Sequence, residues 1–256
     1  MTDSILLTVD NGLARITLNR PQRLNAINAE AAQAWRDIAA EVAERSDVGA
    51  VLLDAVGPAF CAGGDVAEMS AMGGSVSSIG EFADIIHEGH RSLSAMPKPI
   101  VAAVNGAVAG GGLGFMLVAD YIVASTSARF VSKYADIGLT PDCGVSTLLP
   151  QAVGMRRALQ LTLTSRSLTA DEALDWGLVS EVVADGETDA RAREIAAGWL
   201  AGATAAFGQA KRLLRGGVGR DYATALDDEA RTIGAAFETP DAQARIGAFL
   251  ARSARR

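Results

Sequence analysis

The sequence predicts an α/β fold in which a largely parallel sheet, built from βαβ units, is followed by a helical C-terminal region. Apolar runs typical of strands alternate with amphipathic helical stretches up to about Gly154, and this alternation is characteristic of parallel sheets. Beyond that point the strand signals nearly vanish, and one helical stretch follows another. We therefore divide the chain into a core of residues 1–195 and a helical region of residues 196–256.

Turn and capping signals predict the first elements. Asn11 and Gly12 separate two apolar runs, which is the strongest short-range signal of a β-hairpin. The amphipathic stretch that follows is predicted to be a helix with Asn28 as its N-cap. The run GAVLLDAV (49–56) is typical of a short buried strand.

The rest of the core repeats this alternation. The stretch EFADIIHEGHRSLSAM (81–96) predicts a helix that ends before Pro97. It is followed by the apolar strand PIVAAVNG (99–106) and the helix LGFMLVAD (113–120). Two further strands are predicted in YIVAS and ARFVS, within residues 121–132.

Composition excludes several classes of protein. The chain of 256 residues is 49% hydrophobic and carries a net charge of −7, which argues against a general nucleic-acid binder. Cys61 and Cys143 have no metal-type spacing and fit a reducing compartment without a disulfide framework. Neither a basic leader nor an uninterrupted apolar run of about 18 residues is present. We expect a cytoplasmic protein that binds neither nucleic acid nor membrane.

The glycine-rich stretch VNGAVAGGGLGFMLVAD (104–120) is the least ordinary feature of the sequence. Such glycine density marks a close approach of the backbone to another group, either a packed strand and helix or a ligand. It does not match a dinucleotide-binding loop, and it lacks the lysine that a P-loop requires. A third interpretation is an oxyanion site, because N–H groups at a helix N-terminus have no internal partner.

A second amide donor is available in AFCAGGDVAEM (59–69), a glycine pair in a loop after a buried strand. Alone this segment is a turn, but the two glycine segments together are more specific than either. With NRPQRLNAIN (19–28), IGLTPDCG (137–144) and ADEALDWGLVSEVV (170–183), they resemble the crotonase superfamily of enoyl-CoA hydratases and isomerases. The resemblance runs in order over nearly the whole chain.

The resemblance implies a crotonase-like spiral of ββα turns, an acyl-CoA thioester substrate, and a helical C-terminal region used to assemble a homotrimer or a dimer of trimers. It places the two oxyanion-hole amides on Gly64 and Gly111. Such donors stabilise the charge that a thioester oxygen gains when an enolate forms, and each is typically worth about 10²–10³ in rate. Coenzyme A is part of the substrate, and no separate cofactor is expected.

The reaction depends on the titratable groups that face the acyl chain. Enoyl-CoA hydratases resemble one another in using two glutamates, whose positions align with Gly114 and Tyr134 here. Glycine transfers no proton, and tyrosine is a poor substitute for a carboxylate near neutral pH. These residues argue against hydration by the two-carboxylate mechanism.

Asp142, where the chain turns towards a helix, is the candidate base. From the residues alone, a turn or N-cap aspartate is the favoured interpretation. The dienoyl- and ring-epoxide-type isomerases of the family are similar to this chain in having an aspartate here. One carboxylate can remove a proton from the acyl chain and return it at another carbon, so the resemblance implies an isomerase. Asp136 is a candidate second acid, on the face of Tyr134 if that segment is a strand.

The two histidines, His87 and His90, lie one helical turn apart. From the residues alone they predict a solvent-facing pair, and no metal site is expected because further ligands are not apparent. The resemblance adds an alternative: 4-chlorobenzoyl-CoA dehalogenase, a member of the family, uses an aspartate nucleophile at the position of Asp142 and a base histidine at that of His87.

The resemblance also implies contacts with coenzyme A. Arg23 is placed for a phosphate, the backbone of Ala62 for the adenine, and Arg252 for coenzyme A bound by a neighbouring subunit, with Lys211 a weaker candidate. Each arginine fits a solvated surface role equally well. Four hypotheses follow: an acyl-CoA isomerase, an enoyl-CoA hydratase, a hydrolytic dehalogenase, and an acyl-CoA-binding homologue without catalysis.

Overall fold

The computed structural model describes residues 3–71 and 76–253. It begins with the predicted hairpin, in which β1 (Ile5–Asp10) runs antiparallel to β2 (Leu13–Leu18). The turn residues Asn11 and Gly12 have φ angles of +49° and +83°, as a type I′ turn requires at both central positions. The hairpin prediction is confirmed.

The larger sheet adds four strands to the hairpin. They are β3 (Ala50–Ala55), β5 (Ile100–Val104), β7 (Tyr121–Ser125) and β10 (Glu181–Val183). The order across the sheet is β1-β2-β3-β5-β7-β10, and every pair except the hairpin is parallel. All of β5 is buried, as expected of a central strand covered on both faces.

A second sheet contains β4 (Ala59–Cys61), β6 (Ala107–Ala109), β8 (Arg129–Val131) and β9 (Ser167–Thr169) in the order β4-β6-β8-β9. It is parallel except between β8 and β9. From β3 to β8, successive strands alternate between the two sheets, so each turn of the chain adds one strand to each. This arrangement confirms the spiral that the resemblance implies.

Helices connect and cover the sheets. Those before residue 170 are α1 (Ala29–Glu44), α2 (Val66–Ala71), α3 (Val76–Ala95), α4 (Gly112–Leu117), α5 (Val145–Val153) and α6 (Met155–Leu163). The later ones are α7 (Ala170–Trp176), α8 (Thr188–Ala201), α9 (Thr204–Gly217), α10 (Tyr222–Phe237) and α11 (Pro240–Ser253). Asn28 caps α1 as predicted, because its side chain accepts a hydrogen bond of 3.0 Å from the amide of Ala31.

Trp35, His90 and Phe115 bring α1, α3 and α4 together in the core. The indole N–H of Trp35 donates to Nδ1 of His90 at 3.1 Å, and the Phe115 ring meets the imidazole edge to face. Burial lowers the pKa of His90 to about 4, so the ring is neutral. The prediction of a solvent-facing histidine pair is therefore wrong for His90, because a helical spacing does not say which face of a helix is covered.

The helix α8 crosses the predicted boundary at residues 195/196. Its buried residues Ala192 and Ala196 pack against Leu52, Val101 and Val123 of the larger sheet. The division at this point stays a prediction. No helix in the described ranges is long and apolar enough to cross a membrane.

Lys211 anchors α9 to the core. Its Nζ donates to the carbonyls of Leu93 and Lys98, both at 2.9 Å, and lies 3.1 Å from a carboxylate oxygen of Asp120. Burial lowers the pKa of Lys211 to about 8, although Asp120 opposes the change. All three donors of the ammonium group are thus occupied, so Lys211 is not free to contact coenzyme A.

The sequence did not predict β9 and β10. Each is three residues long, too short for alternation to show, and each forms only by pairing with a strand from another turn of the spiral. Their existence is set by tertiary contacts.

We expect the free energy of unfolding to fall as the pH is lowered from about 6.5 to about 4. In this window His90 binds a proton in the unfolded chain but not in the folded one, so acid favours unfolding. The shift corresponds to about 3 kcal/mol. Urea unfolding across this pH range measures the slope, and a His90→Leu chain with an equal slope would contradict the assignment.

Candidate active site

One cavity of about 350 Å³ gathers most of the residues that the sequence singled out. It lies where the ends of β4 and β6 meet the segment between β8 and α5. The predicted site residues that line it are Ala62, Gly64, Gly111, Tyr134, Asp136 and Asp142. Segments 80 residues apart in the chain are therefore brought to one place, as the paired glycine segments predicted.

Gly64 and Gly111 both line this cavity, and among the described residues neither of their amides donates a hydrogen bond. The chain at Gly64 pairs with Ile27 through the carbonyl of Gly63 and the amide of Asp65, both at 2.8 Å, which leaves the Gly64 amide unused. Gly111 is the N-cap residue of α4, and within residues 3–71 and 76–253 its amide donates no hydrogen bond. A Cβ built on Gly63 would lie 3.2 Å from the Gly111 nitrogen, so the two loops are in contact.

Two other glycines explain how α4 approaches its neighbours so closely. A Cβ on Gly112 would lie 2.2 Å from the carbonyl oxygen of Cys61, at the end of β4. A Cβ on Gly114 would lie 2.2 Å from the carbonyl oxygen of Cys143, next to Asp142. Tight packing and exposure of amides were competing interpretations of the glycine-rich stretch, and both hold, at different glycines.

The carboxylate of Asp142 is held by Tyr134. The phenol O–H donates to Oδ1 of Asp142 at 2.6 Å. Burial, together with the neighbouring carboxylate, raises the pKa of Tyr134 far above its ordinary value, so the phenol remains a proton-bearing donor. Asp142 is not a helix cap, because the N-cap residue of α5 is Gly144.

The carboxylate and the Gly111 amide share one wall of the cavity. A Cβ built on Gly111 would lie 3.3 Å from Sγ of Cys143, 3.6 Å from Oδ1 of Asp142 and 3.7 Å from the Tyr134 hydroxyl. A carbonyl oxygen bound by this amide would therefore place its neighbouring carbon within reach of a carboxylate. The geometry suits proton abstraction beside a carbonyl group.

His87 lies behind this wall, half-buried on α3. Its Nε2 accepts a hydrogen bond of 3.2 Å from the backbone amide of Cys143. The hydrogen-bond network thereby assigns the ring proton to Nδ1, which lies 4.0 Å from a carboxylate oxygen of Asp84. The lone pair that a histidine base would use is occupied.

Cys143 is the site residue that the sequence missed. Candidate ligand atoms of His87, Asp142 and Cys143 all lie within 4.8 Å of one another. Burial, and next to it the Asp142 carboxylate, raises the pKa of Cys143 well above its ordinary value, so the thiol is neutral. Its position beside Asp142 in PDCG was the available signal, but only the fold reveals the His87 contact.

Asp136 lines the cavity, but the segment that carries it is not the strand that was expected. The segment Ala135–Ile137 is a 3₁₀ turn, and β8 ends at Val131, so the argument from a strand face is wrong. Its carboxylate contacts Lys133 Nζ at 2.5 Å and also accepts from Ser165. The hydrogen bond from Lys133 lowers the pKa of Asp136.

The candidate coenzyme A contacts are dispersed. A guanidinium nitrogen of Arg23 lies 3.1 Å from the buried carboxylate of Asp65, and the rest of this side chain is half exposed. Ala62 lines the cavity, and its amide donates to the carbonyl of Leu24 at 3.0 Å. Arg252 is exposed on α11 and is not among the residues that line the cavity.

A large part of the cavity lining is apolar. Its side chains come mainly from α2, α3, α4 and the loop after β8. They are Val66, Met69, Ile79, Phe82, Ile86, Phe115, Ile137 and Leu139. Lys133 and Asp136, the charged side chains that join Asp142 in the described lining, are paired with each other.

The enoyl-CoA hydratase/isomerase family model matches residues 8–254. The chain is 34% identical to the short-chain-enoyl-CoA hydratase of Clostridium acetobutylicum, over 97% of this chain and 95% of the relative. It is 32% identical to the 1,2-epoxyphenylacetyl-CoA isomerase of Escherichia coli, over 98% and 97%. The solved structure of an enoyl-CoA hydratase from Mycobacterium smegmatis is similar with a TM-score of 0.92 at 29% identity, covering 97% of this chain and 96% of that one.

We expect Gly112→Ala to destabilise the protein by about 1–3 kcal/mol, because the new Cβ meets the backbone carbonyl of Cys61, which cannot move aside freely. Urea unfolding measures this loss. The matched control is Gly198→Ala in α8, where a Cβ meets open space and helix propensity favours alanine. Equal stability of the two variants would contradict the close approach of α4 to β4.

Proposed function

The chain belongs to the enoyl-CoA hydratase/isomerase family, as an enzyme of crotonase-like fold acting on acyl-CoA thioesters, and from this premise we propose that it is a double-bond isomerase with Asp142 as its base. The observation that carries the proposal is a carboxylate, the one in the described lining without a cationic partner, beside two unused amides. By the family resemblance, Gly114 and Tyr134 stand where hydratases have their two glutamates.

In the proposed reaction, the thioester oxygen accepts hydrogen bonds from the amides of Gly64 and Gly111. Asp142 removes a proton from the carbon next to the carbonyl group of a 3-enoyl thioester. The electron pair moves onto the thioester oxygen, which the two amides stabilise as a dienolate. The proton on Asp142 exchanges with solvent, and Asp142 then protonates the carbon at the far end of the conjugated system, which gives the 2-enoyl thioester with no net gain or loss of atoms.

Tyr134 supports this role of Asp142 in two ways. Its hydroxyl occupies Oδ1, so the second carboxylate oxygen is left to carry the proton. Because the phenol is buried and remains protonated, it fixes the carboxylate without competing as a second base.

The lining of the cavity supports an apolar acyl group. The only cation of the described lining, Lys133, is paired with Asp136, so a terminal carboxylate on the substrate would have no free partner among these residues. An apolar chain or ring gains by burial against Phe82, Phe115 and the aliphatic residues around them.

The coenzyme A moiety is proposed to bind outside this cavity, with adenine beside Ala62 and a phosphate at Arg23. Arg252 is proposed to reach coenzyme A in a neighbouring subunit of a homotrimer or dimer of trimers. The apolar side chains exposed on α10 and α11, which include Ile233, Phe237 and Phe249, support an assembly through these helices. A cytoplasmic location accords with this substrate.

Hydration is less well supported by the site. It would require a second acid, and the carboxylate of Asp136 is tied to Lys133 and Ser165. Hydrolytic dehalogenation would require His87 to activate water, whereas its Nε2 accepts from the Cys143 amide. Both reactions are distinguished from isomerisation in the assay below.

We expect incubation with 2- and 3-enoyl-CoA thioesters of apolar acyl groups in D₂O to interconvert them with deuterium entry into the acyl chain, read by mass spectrometry. A product heavier by one water would instead identify a hydratase. Halide released from a chlorobenzoyl-CoA would identify a dehalogenase. Binding without any of these changes would leave an acyl-CoA-binding protein.

We expect Asp142→Asn to lower kcat by about 10²–10⁴-fold, because an amide cannot accept the proton. The matched control is Asp37→Asn, the same substitution at an exposed position of α1, which should leave kcat unchanged. Turnover that survives in the Asp142→Asn variant would refute the proposed base.

We expect Tyr134→Phe to lower kcat by about tenfold while the fold is retained, since one charge-assisted hydrogen bond to the base is lost. KM should change little, because the phenol does not contact the coenzyme A moiety in this proposal. Steady-state kinetics measure both constants. A change confined to KM would mean that Tyr134 shapes the acyl pocket rather than holding Asp142.

A further inference from the structure

The turn that carries Asp142 is held in an uncommon backbone conformation. Cys143 has a φ of +50°, in the left-handed region that residues with a side chain seldom adopt. Cys143 is also buried, so its backbone amide cannot be satisfied by water. Such a conformation persists only where the surrounding contacts determine it.

The peptide unit between Asp142 and Cys143 is fixed at both ends. Its carbonyl oxygen accepts from the amide of Val145 at 2.9 Å. Its N–H donates to Nε2 of His87 at 3.2 Å. The imidazole on α3 therefore supplies the acceptor for the one amide that would otherwise be left buried without a partner.

His87 reaches this peptide from a distant segment of the chain. It is supported from behind, because α3 packs against α1 at Gly89, where a Cβ would lie 2.4 Å from the Trp35 ring. Its Nδ1 faces Asp84 on the same helix at 4.0 Å. The helix thus presents Nε2 to the turn with little freedom to withdraw.

We propose that His87 is a positioning residue: its neutral imidazole, protonated at Nδ1, accepts the Cys143 amide and so aims the Asp142 carboxylate at the substrate. This inference rests on the proposed function of Asp142. It assigns His87 a role different from that of a base, because the nitrogen that would take a proton from water is the one that holds the turn. Protonation of Nε2 would replace an acceptor by a second donor and release the turn.

The kinetic test compares two substitutions of His87. His87→Leu keeps a side chain of similar size but has no acceptor, and we expect kcat to fall by about 10²-fold as Asp142 loses its alignment. His87→Gln has a carbonyl oxygen that can accept from the Cys143 amide, and we expect it to restore most of kcat. KM should change little in either variant. Glu81→Gln, at an exposed position of the same helix, is the control and should match the wild type.

The structural test is NMR spectroscopy of protein labelled at histidine or at cysteine, both of which are rare in this chain. The chain has two histidines and two cysteines, so ¹⁵N labelling gives two imidazole rings for histidine and two backbone amides for cysteine. We expect the His87 ring to show the tautomer protonated at Nδ1. The signals of the His90 ring are identified in His87→Leu, which retains only that imidazole; its Nδ1 lies 3.1 Å from the Trp35 indole nitrogen and 3.0 Å from the carbonyl oxygen of Ile86. The amide signal of Cys143 should shift in His87→Leu and return in His87→Gln, while that of Cys61 stays in place.

Three results would overturn the proposed positioning role of His87. A His87 ring protonated at Nε2 in the wild type would do so even if His87→Leu fails to fold, because His87→Gln also retains only the His90 ring. Unchanged kcat in His87→Leu would also refute the proposal. A His87→Gln variant that keeps the wild-type Cys143 signal but is as slow as His87→Leu would refute it as well, because the imidazole would then take part in the chemistry. If the wild type turns over no acyl-CoA thioester, the proposed function fails while the tautomer still tests the hydrogen bond.

Discussion

The approach of α4 to two backbone carbonyls is the constraint on which the rest of the site depends. Gly112 lets the helix touch the carbonyl of Cys61, and Gly114 lets it touch that of Cys143. One contact sets the distance between the two loops that carry unused amides, and the other sets the distance from those amides to Asp142. A larger residue at either glycine would separate groups that act on the same few atoms of a substrate.

The electrostatics of the cavity follow from which groups are allowed to carry charge. Tyr134 and Cys143 line it, but burial and the nearby carboxylate raise the pKa of each, so both remain neutral. Asp136 is compensated by Lys133. The negative charge of Asp142 is therefore the uncompensated one in the described lining, and it stands beside amides that can stabilise a second negative charge when it forms on a bound carbonyl oxygen.

Local signals predicted the elements that local chemistry determines. The hairpin at Asn11-Gly12 and the cap at Asn28 depend on residues within a few positions of one another, and both were confirmed. The strand β10 and the burial of His90 depend on partners more than 50 residues away. The strand was not predicted, and His90 was wrongly predicted to face solvent. Asp136 lines the predicted site, but through a 3₁₀ turn rather than the strand that alternation suggested.

The sequence by itself determined the fold class, the glycine segments and the residue types available for proton transfer, because these are properties of short stretches. Asp142, Gly64 and Gly111 were singled out by the resemblance of its ordered motifs to a known family. Only the tertiary structure decided which nitrogen of His87 is free, that Tyr134 binds Asp142, and that Cys143 joins them. These outcomes depend on where helices and loops from different turns of the spiral meet. Contacts between residues so far apart in the sequence cannot be inferred from any one local segment.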